Sequence, residues 1–223
     1  MTEKEYLSRV AEYFDDVVTK GIADRIDTAH FDAARAAFAR CRLERSHSFL
    51  EIGCGTGFAV RWACHVHRSV EGYGVDLSAE MIRRARALST DVPNARFINA
   101  AFPVPELRAE SFDSVFAVDS FCYLPDPLWA LINVHRVLKP GGRFVCMLTD
   151  YAGQHQPRPV VSTSELNRNL LTGDQWRTLA SDAGLLPFEQ SYINASSEQT
   201  REGRSQYASG RLLIVARRPV LED

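Results

Sequence analysis

Lysine is nearly missing from this chain. Of 223 residues, only Lys4, Lys20 and Lys139 are lysine, and arginine carries the remaining positive charge. No mechanism in the sequence accounts for that bias. A net positive charge is missing too: the formal net charge is -2. A surface built to hold a phosphate backbone wants a basic face, so nucleic-acid modification is disfavoured. No Cys-x-x-Cys pair occurs, and Cys41, Cys54, Cys64, Cys122 and Cys146 are odd in number. Both facts argue against a disulfide framework or a zinc site and lead us to expect no bound metal and a reducing, cytoplasmic setting. No apolar run approaches the roughly 20 residues that a membrane helix needs, so no membrane span is expected. The opening MTEKEYLSRVAEYF lacks the apolar core of a signal peptide. Internal repeats and low-complexity blocks are absent. The sequon Asn194-Ala195-Ser196 is of a kind frequent by chance.

What is present is an ordinary globular balance, 45% hydrophobic and 24% charged, in a length that suits one domain with a sizeable core. Residues 2–40 read as helical. Thr2 with Glu5 forms a capping box, and Gly21 divides the region into two helices. The second, 24–40, sets Ile26, Phe31, Ala34 and Phe38 at helical spacing. The pattern then alternates. Strands are predicted over 48–53, 70–76, 96–100, 112–118 and 142–148. Helices are predicted over 57–68, after a Ser78 cap, and from Asp126-Pro127 to Leu138. A further helix follows a Thr172/Gln175 capping box, flanked by Leu171 and Trp176, and ends at Gly184. Residues 188–194 and 211–217 read as an antiparallel edge pair.

Strand-helix alternation with apolar strands predicts a parallel sheet covered on both faces. The expected fold is therefore α/β: a Rossmann-like, doubly wound, mostly parallel seven-stranded sheet with an antiparallel edge pair and an N-terminal helical cap. One domain spans 1–223, with a cap or lid at 1–40, a cofactor-binding core at 48–150, and a substrate-side segment with the last strands at 151–223.

The stretch FLEIGCGTGF, residues 49–58, sits at the turn from the first strand into the first helix of that core. Three glycines in five residues cost backbone entropy, so something must approach the backbone closely. In open α/β sheets, ligands bind at the carboxyl ends of strands. Asp76 ends the second strand, where an acid accepts from both hydroxyls of a ribose. The spacing alone accommodates NAD, FAD or S-adenosylmethionine. A dinucleotide fingerprint is GxGxxG. Here the third glycine comes one residue early and Phe58 stands where the last should be. Glu51 suits an ammonium group better than a diphosphate, which favours S-adenosylmethionine.

FLEIGCGTG, then GVDLS, then SFDSVFAVDSFCYLPD, then RVLKPGGRFVCM, resemble a class I S-adenosylmethionine-dependent methyltransferase of the small-molecule type, similar to those of quinone biosynthesis. The matches cover roughly residues 48–148. The resemblance implies that Glu51, Gly53 and Gly55 line the methionine end of the cofactor, Asp76 holds the ribose, Leu77 packs on the adenine, and Asp119 faces the substrate beside the methionine part. The whole cofactor set is Glu51, Gly53, Cys54, Gly55, Asp76, Leu77, Met81, Asn99, Ala100, Ala101 and Asp119. One position departs from the family: an aspartate often receives the adenine amino group after the third strand, and here that residue is Ala100, with Asn99 before it.

Methyl transfer from a sulfonium is an in-line displacement, so positioning matters most, and a base is needed only where the acceptor must lose a proton. His155, in the proline-containing segment after the fifth strand, and Tyr123 are the candidate catalytic residues. His30 stays open; His47, His65, His67 and His135 read as structural or loop residues. Tyr13, Phe14, Phe121, Tyr123 and Tyr151 are the candidate substrate-binding set, an apolar pocket with tyrosine hydroxyls to orient a ligand. Cys122 reads as a buried inert thiol. The expected function is methyl transfer to a small, partly apolar acceptor. The partner is that substrate, and the oligomeric state stays open between monomer and homodimer. Other readings remain: a protein or RNA methyltransferase, a non-catalytic cofactor-binding module, and a nicotinamide-dependent dehydrogenase.

Overall fold

The computed structural model describes residues 1–68, 70–149, 166, 169, 171–186, 188–193 and 211–220, without the side chains of 24–30 and 149. Tyr151, His155, the sequon at 194–196, the 196–210 connection and the side chains of Ile26 and His30 lie outside the described residues. The elements run α1 (Glu3–Thr19), α2 (Ala23–Phe38), β1 (Ser48–Ile52), α3 (Phe58–Val66), β2 (Glu71–Asp76), α4 (Ala79–Ala87), β3 (Ala95–Asn99), β4 (Phe112–Val118), α5 (Pro127–Val137), β5 (Leu138–Thr149), α6 (Gly173–Asp182), β6 (Glu189–Ile193) and β7 (Arg211–Arg217).

The described strands form one seven-stranded sheet in the order β3-β2-β1-β4-β5-β7-β6. The pairs β2–β3, β1–β2, β1–β4 and β4–β5 are parallel. β7 runs antiparallel to both β5 and β6, so the expected antiparallel pair closes one edge. Strand order reverses beside β1, and in such sheets a crevice opens at the carboxyl ends there.

Two-sided burial explains the apolar strands. Side chains alternate faces along a strand, so neighbours part company. Leu50, Val115 and Phe144 pack with Leu131, Val134, Trp176 and Ala180 of α5 and α6. Phe49, Phe116 and Val145 pack with Ala34, Ala37, Val60, Ala63, Ile82 and Ala85 of α2, α3 and α4. Among the described residues no helix is long and apolar enough to cross a membrane.

The local signals act as read. Both capping boxes close, Thr2 with Glu5 and Thr172 with Gln175. Ser78 caps α4, and Asp126 caps α5 with Pro127 in its first turn. The differences have local causes. The second helix stops at Phe38 and tightens into a 3₁₀ turn, Ala39–Cys41, ended by Arg42 in the left-handed region. α3 starts only after Gly57 because that residue is left-handed. β5 begins four residues earlier than the 142–148 expectation. Leu138 already pairs with Phe112, the chain bulges through 139–142, and Arg143 rejoins beside Ser114. A second 3₁₀ turn, Phe121–Tyr123, follows β4 and had no sequence signal.

Candidate cofactor and substrate site

Gly53, Gly55 and Gly57 all have positive φ, at 70°, 50° and 80°, but for different reasons. A Cβ on Gly53 would lie 2.3 Å from Ser120 Cβ, and one on Gly57 would lie 2.5 Å from a ring carbon of Phe97. The protein's own packing demands those two glycines. Among the described residues a Cβ on Gly55 would meet only Met81 Sδ, at 3.9 Å. At Gly55 the backbone faces open space, the cradle that a close-lying ligand would fill. The Gly53 and Cys54 amides both donate to the Val75 carbonyl, at 2.8 and 3.0 Å, which pins the turn to the end of β2.

Asp76 answers this turn from β2. Its Oδ2 accepts the Gly55 N–H at 2.8 Å and its Oδ1 accepts the Ser78 N–H at 2.9 Å. An ionised carboxylate has about four acceptor positions, so it can brace the turn and still receive a hydroxyl. Burial pushes its pKa up, and the charge of Asp15 adds to that, against the pull of the Ser78, Gly55 and Leu77 amides. Asp15 belongs to α1. Its Oδ1 accepts from the Ser78 hydroxyl and from the Glu80 N–H at 3.0 Å, which seats α1 on the start of α4.

α1 thereby roofs the strand ends. The Tyr6 hydroxyl donates to the Tyr123 carbonyl at 3.1 Å. Phe14 meets Tyr123 edge-on with ring centroids 5.3 Å apart, and Tyr13 meets Phe14 at 5.1 Å. Leu77 and Tyr123 pack in this cluster around Tyr6 and Val10. Met81 packs beside it against Val17 and Ala23. Tyr13, Phe14 and Tyr123 therefore come together with Leu77 and Met81.

After β4, Asp119 is left-handed with φ 47°. Its N–H donates to the Met147 carbonyl at 2.8 Å, and its Oδ2 accepts from Arg211 Nη1 at 3.1 Å. Ser120 Oγ donates to the Ile52 carbonyl at 2.6 Å and packs against Gly53, so Asp119 stands next to the glycine turn.

Several expected contacts are placed otherwise. Phe121 is fully buried against Phe144 and Trp176. It packs the core behind the 3₁₀ turn and offers no ring to a substrate, which corrects the expectation. The Cys54 side chain is also buried, turned onto Gly74, whose own Cβ would lie 2.7 Å from the sulfur; only the Cys54 backbone faces the turn. Burial pushes that thiol well up. Glu51 is buried, and its Oε2 accepts the Val60 N–H at 3.2 Å, so it reaches toward the N-terminus of α3. Asn99 Nδ2 donates to the Asp76 and Leu77 carbonyls at 3.1 and 2.9 Å. Its Nδ2 thereby braces the β2–α4 turn. The Ala100 N–H donates to the Asp76 carbonyl at 3.0 Å, and Ala101 follows it, half-buried. His65 is exposed on α3, with Nδ1 2.6 Å from the Arg61 carbonyl. His47 lies near Asp113 at the start of β4, and His135 sits on α5 beside Arg218, which with burial lowers its pKa. None of these three stands at the carboxyl ends of the strands. Sequence reasoning missed Tyr6, Asp15 and Arg211.

Comparison with known proteins bears on the fold. The family described as "Methyltransferase domain" matches residues 50–146. The chain is 28% identical over 124 residues to methyltransferase phqN of Penicillium fellutanum, a match covering 53% of this chain and 38% of that protein. It is 29% identical over 165 residues to the demethylmenaquinone methyltransferase of Lactiplantibacillus plantarum, covering 70% of this chain and 68% of the relative. Among solved structures, a Haloferax volcanii complex of the Trm112 methyltransferase activator and a putative methyltransferase gives a TM-score of 0.79 at 27% identity, over 92% of this chain and 97% of that one. Over residues 50–146 the chain thus carries a match to a methyltransferase domain, and its fold is that of solved S-adenosylmethionine-dependent methyltransferases.

Proposed function

We propose that the chain methylates a small, partly apolar acceptor held beneath α1. The observation that carries this reading is the aromatic roof of Tyr13, Phe14 and Tyr123 over the Leu77–Met81 end of the cradle. A relative that acts on demethylmenaquinone, by its name, supports an acceptor of that kind.

The residues present fit the cofactor. When bound, it supplies a methyl group already activated on a sulfonium. The open side of Gly55 admits its backbone-hugging part, Asp76 accepts from the ribose hydroxyls, and Leu77 and Met81 give the adenine an apolar bed. Asn99 keeps that bed in shape by bracing the turn. Glu51 and Asp119 bring negative charge to the methionine end. The remaining work of the protein is alignment and the exclusion of water, and good alignment alone supplies roughly 7–11 kcal/mol of a barrier. Tyr6 and Phe14 tie the roof to Tyr123, so the aromatic layer serves both tasks. Tyr151 and His155 stay candidates for acceptor contact and proton removal.

Supplying tritium-labelled S-adenosylmethionine with a panel of hydroquinones and phenols tests the acceptor class. Label in an organic-extractable product is the expected result. Label confined to a protein or RNA fraction would overturn it. A protein or RNA acceptor is the second reading, favoured by the arginine-dominated positive charge.

Asp76 makes cofactor affinity pH-dependent. Its pKa is raised above the ordinary 3.8, first by burial and then by Asp15. The ionised form accepts from two hydroxyls; the protonated form must spend one position as a donor. Affinity for S-adenosylhomocysteine is full above the raised value and falls as pH drops through it. Stability of the unliganded protein has the opposite sign. The folded state holds the proton more tightly than the unfolded chain, so ionised Asp76 costs stability that returns as pH falls. Asp15→Asn removes the neighbouring charge and keeps the Oδ1 acceptor for Ser78 and Glu80. It is expected to move the fall in affinity to lower pH, as read by calorimetry across a pH series.

A further inference from the structure

β7, RLLIVAR, is apolar between two arginines, and the first of them, Arg211, is buried. Arg211 is only 1% exposed. It pairs in register with Thr149 at the end of β5 and with Ile193 at the end of β6, so it lies at the carboxyl end of the parallel sheet, where the cofactor site is. Its guanidinium donates through Nη1 to Asp119 Oδ2 at 3.1 Å, and the Asp119 side chain is 22% exposed. A charge taken this far out of water is strongly disfavoured unless paired, and stability alone would put an apolar residue here. The partner is the informative part. Asp119 holds a left-handed backbone, φ 47°, a conformation that is strained for a non-glycine residue and persists only when the surroundings over-determine it. Met147 fixes the backbone of Asp119 through its carbonyl, and Arg211 fixes the side chain. Burial and then the Asp119 carboxylate push the Cys146 thiol well up, which places the negative charge against that apolar wall.

We propose that Arg211 is a positioning residue: through the buried ion pair it fixes the Asp119 carboxylate at the methionine end of the cofactor. The inference rests on the proposed placement of Asp119 beside the methyl donor. A guanidinium presents donors in a rigid fork, whereas a lysine is a shorter-ranged point charge, so the geometry selects arginine in a chain where arginine already dominates.

The test is titration calorimetry with S-adenosylhomocysteine on wild type, Arg211→Met, Arg211→Lys, Asp119→Asn and the double variant Asp119→Asn/Arg211→Met, each with a thermal melt. Truncating one partner of a buried charge pair leaves the other uncompensated, and Arg211→Met is expected to lose about tenfold or more in affinity. Arg211→Lys should recover part of that loss. Because Arg211 acts on the cofactor through the Asp119 carboxylate, the double variant should bind within about twofold of Asp119→Asn alone. The double variant removes both charges and keeps similar volume, which makes it the one best able to fold should either single variant fail. Affinity losses that add in the double variant, or Arg211→Met or Asp119→Asn binding as tightly as wild type, would overturn the proposal and leave Arg211 as a strut that moves only the melting temperature. A wild type that does not bind S-adenosylhomocysteine would overturn the underlying cofactor placement itself, and the inference with it.

Discussion

Replacing Asp76 with alanine is expected to weaken S-adenosylhomocysteine binding by about 10- to 150-fold. Hydrogen bonds to a charged group contribute roughly 1.5–3 kcal/mol, and each 1.4 kcal/mol is about tenfold in affinity. The loss has two sources. The ribose loses its acceptor, and the turn loses the carboxylate that holds the Gly55 and Ser78 amides. Asp76→Asn separates them, since its carbonyl oxygen can keep one amide while the charge is gone. It should fall between wild type and alanine. Calorimetry of the three proteins checks the order. Equal affinity in all three would show that the ribose is held elsewhere.

The second large effect contrasts two glycines two residues apart. Gly53→Ala puts a methyl 2.3 Å from Ser120 Cβ at a φ of 70°. Left-handed backbone costs a non-glycine residue about 1–2 kcal/mol, and forcing atoms into packed space costs about 1–3 more. The sum, about 2–5 kcal/mol, is a large part of a domain's stability, and a melting temperature lower by on the order of 10 °C follows for a chain of this length. Among the described residues Gly55→Ala meets only Met81 Sδ at 3.9 Å, at a φ of 50°. Its stability cost is confined to the backbone, about 1–2 kcal/mol, but its methyl stands in the cradle. The expected outcome is a protein that melts within a few degrees of wild type and has lost most of its cofactor affinity. A Gly55→Ala protein that binds S-adenosylhomocysteine like wild type would mean that the ligand does not approach this backbone.

How much of this was legible follows from which interactions are local. Caps, turns and two-sided strands are written in neighbouring residues. Thr2 with Glu5, Ser78, Asp126-Pro127 and Thr172 with Gln175 each acted as read, and β4 and β7 kept the bounds expected of them. The glycine turn and Asp76 were legible because a strand, a turn and an acid at fixed spacing leave few alternatives. What stayed hidden joins distant parts of the chain. Asp15 reaches Ser78 and Glu80, Tyr6 reaches Tyr123, and Arg211 reaches Asp119. Each is an ordinary polar residue on its own element, and nothing local marks its partner. Phe121 failed for a related reason. Its place after β4 suggested a ligand contact, but the 3₁₀ turn points the ring inward to Phe144 and Trp176. The sequence offered Asn99 for the adenine, and its Nδ2 braces the β2–α4 turn, a long-range link that no local pattern marks.

Titration calorimetry on the purified chain with S-adenosylmethionine, S-adenosylhomocysteine and NAD in separate cells tests the central claim most directly. The glycine turn, the open side of Gly55 and the acid at the end of β2 predict micromolar binding of both sulfur compounds and none of NAD. Binding of NAD with no heat from either sulfur compound would contradict the account.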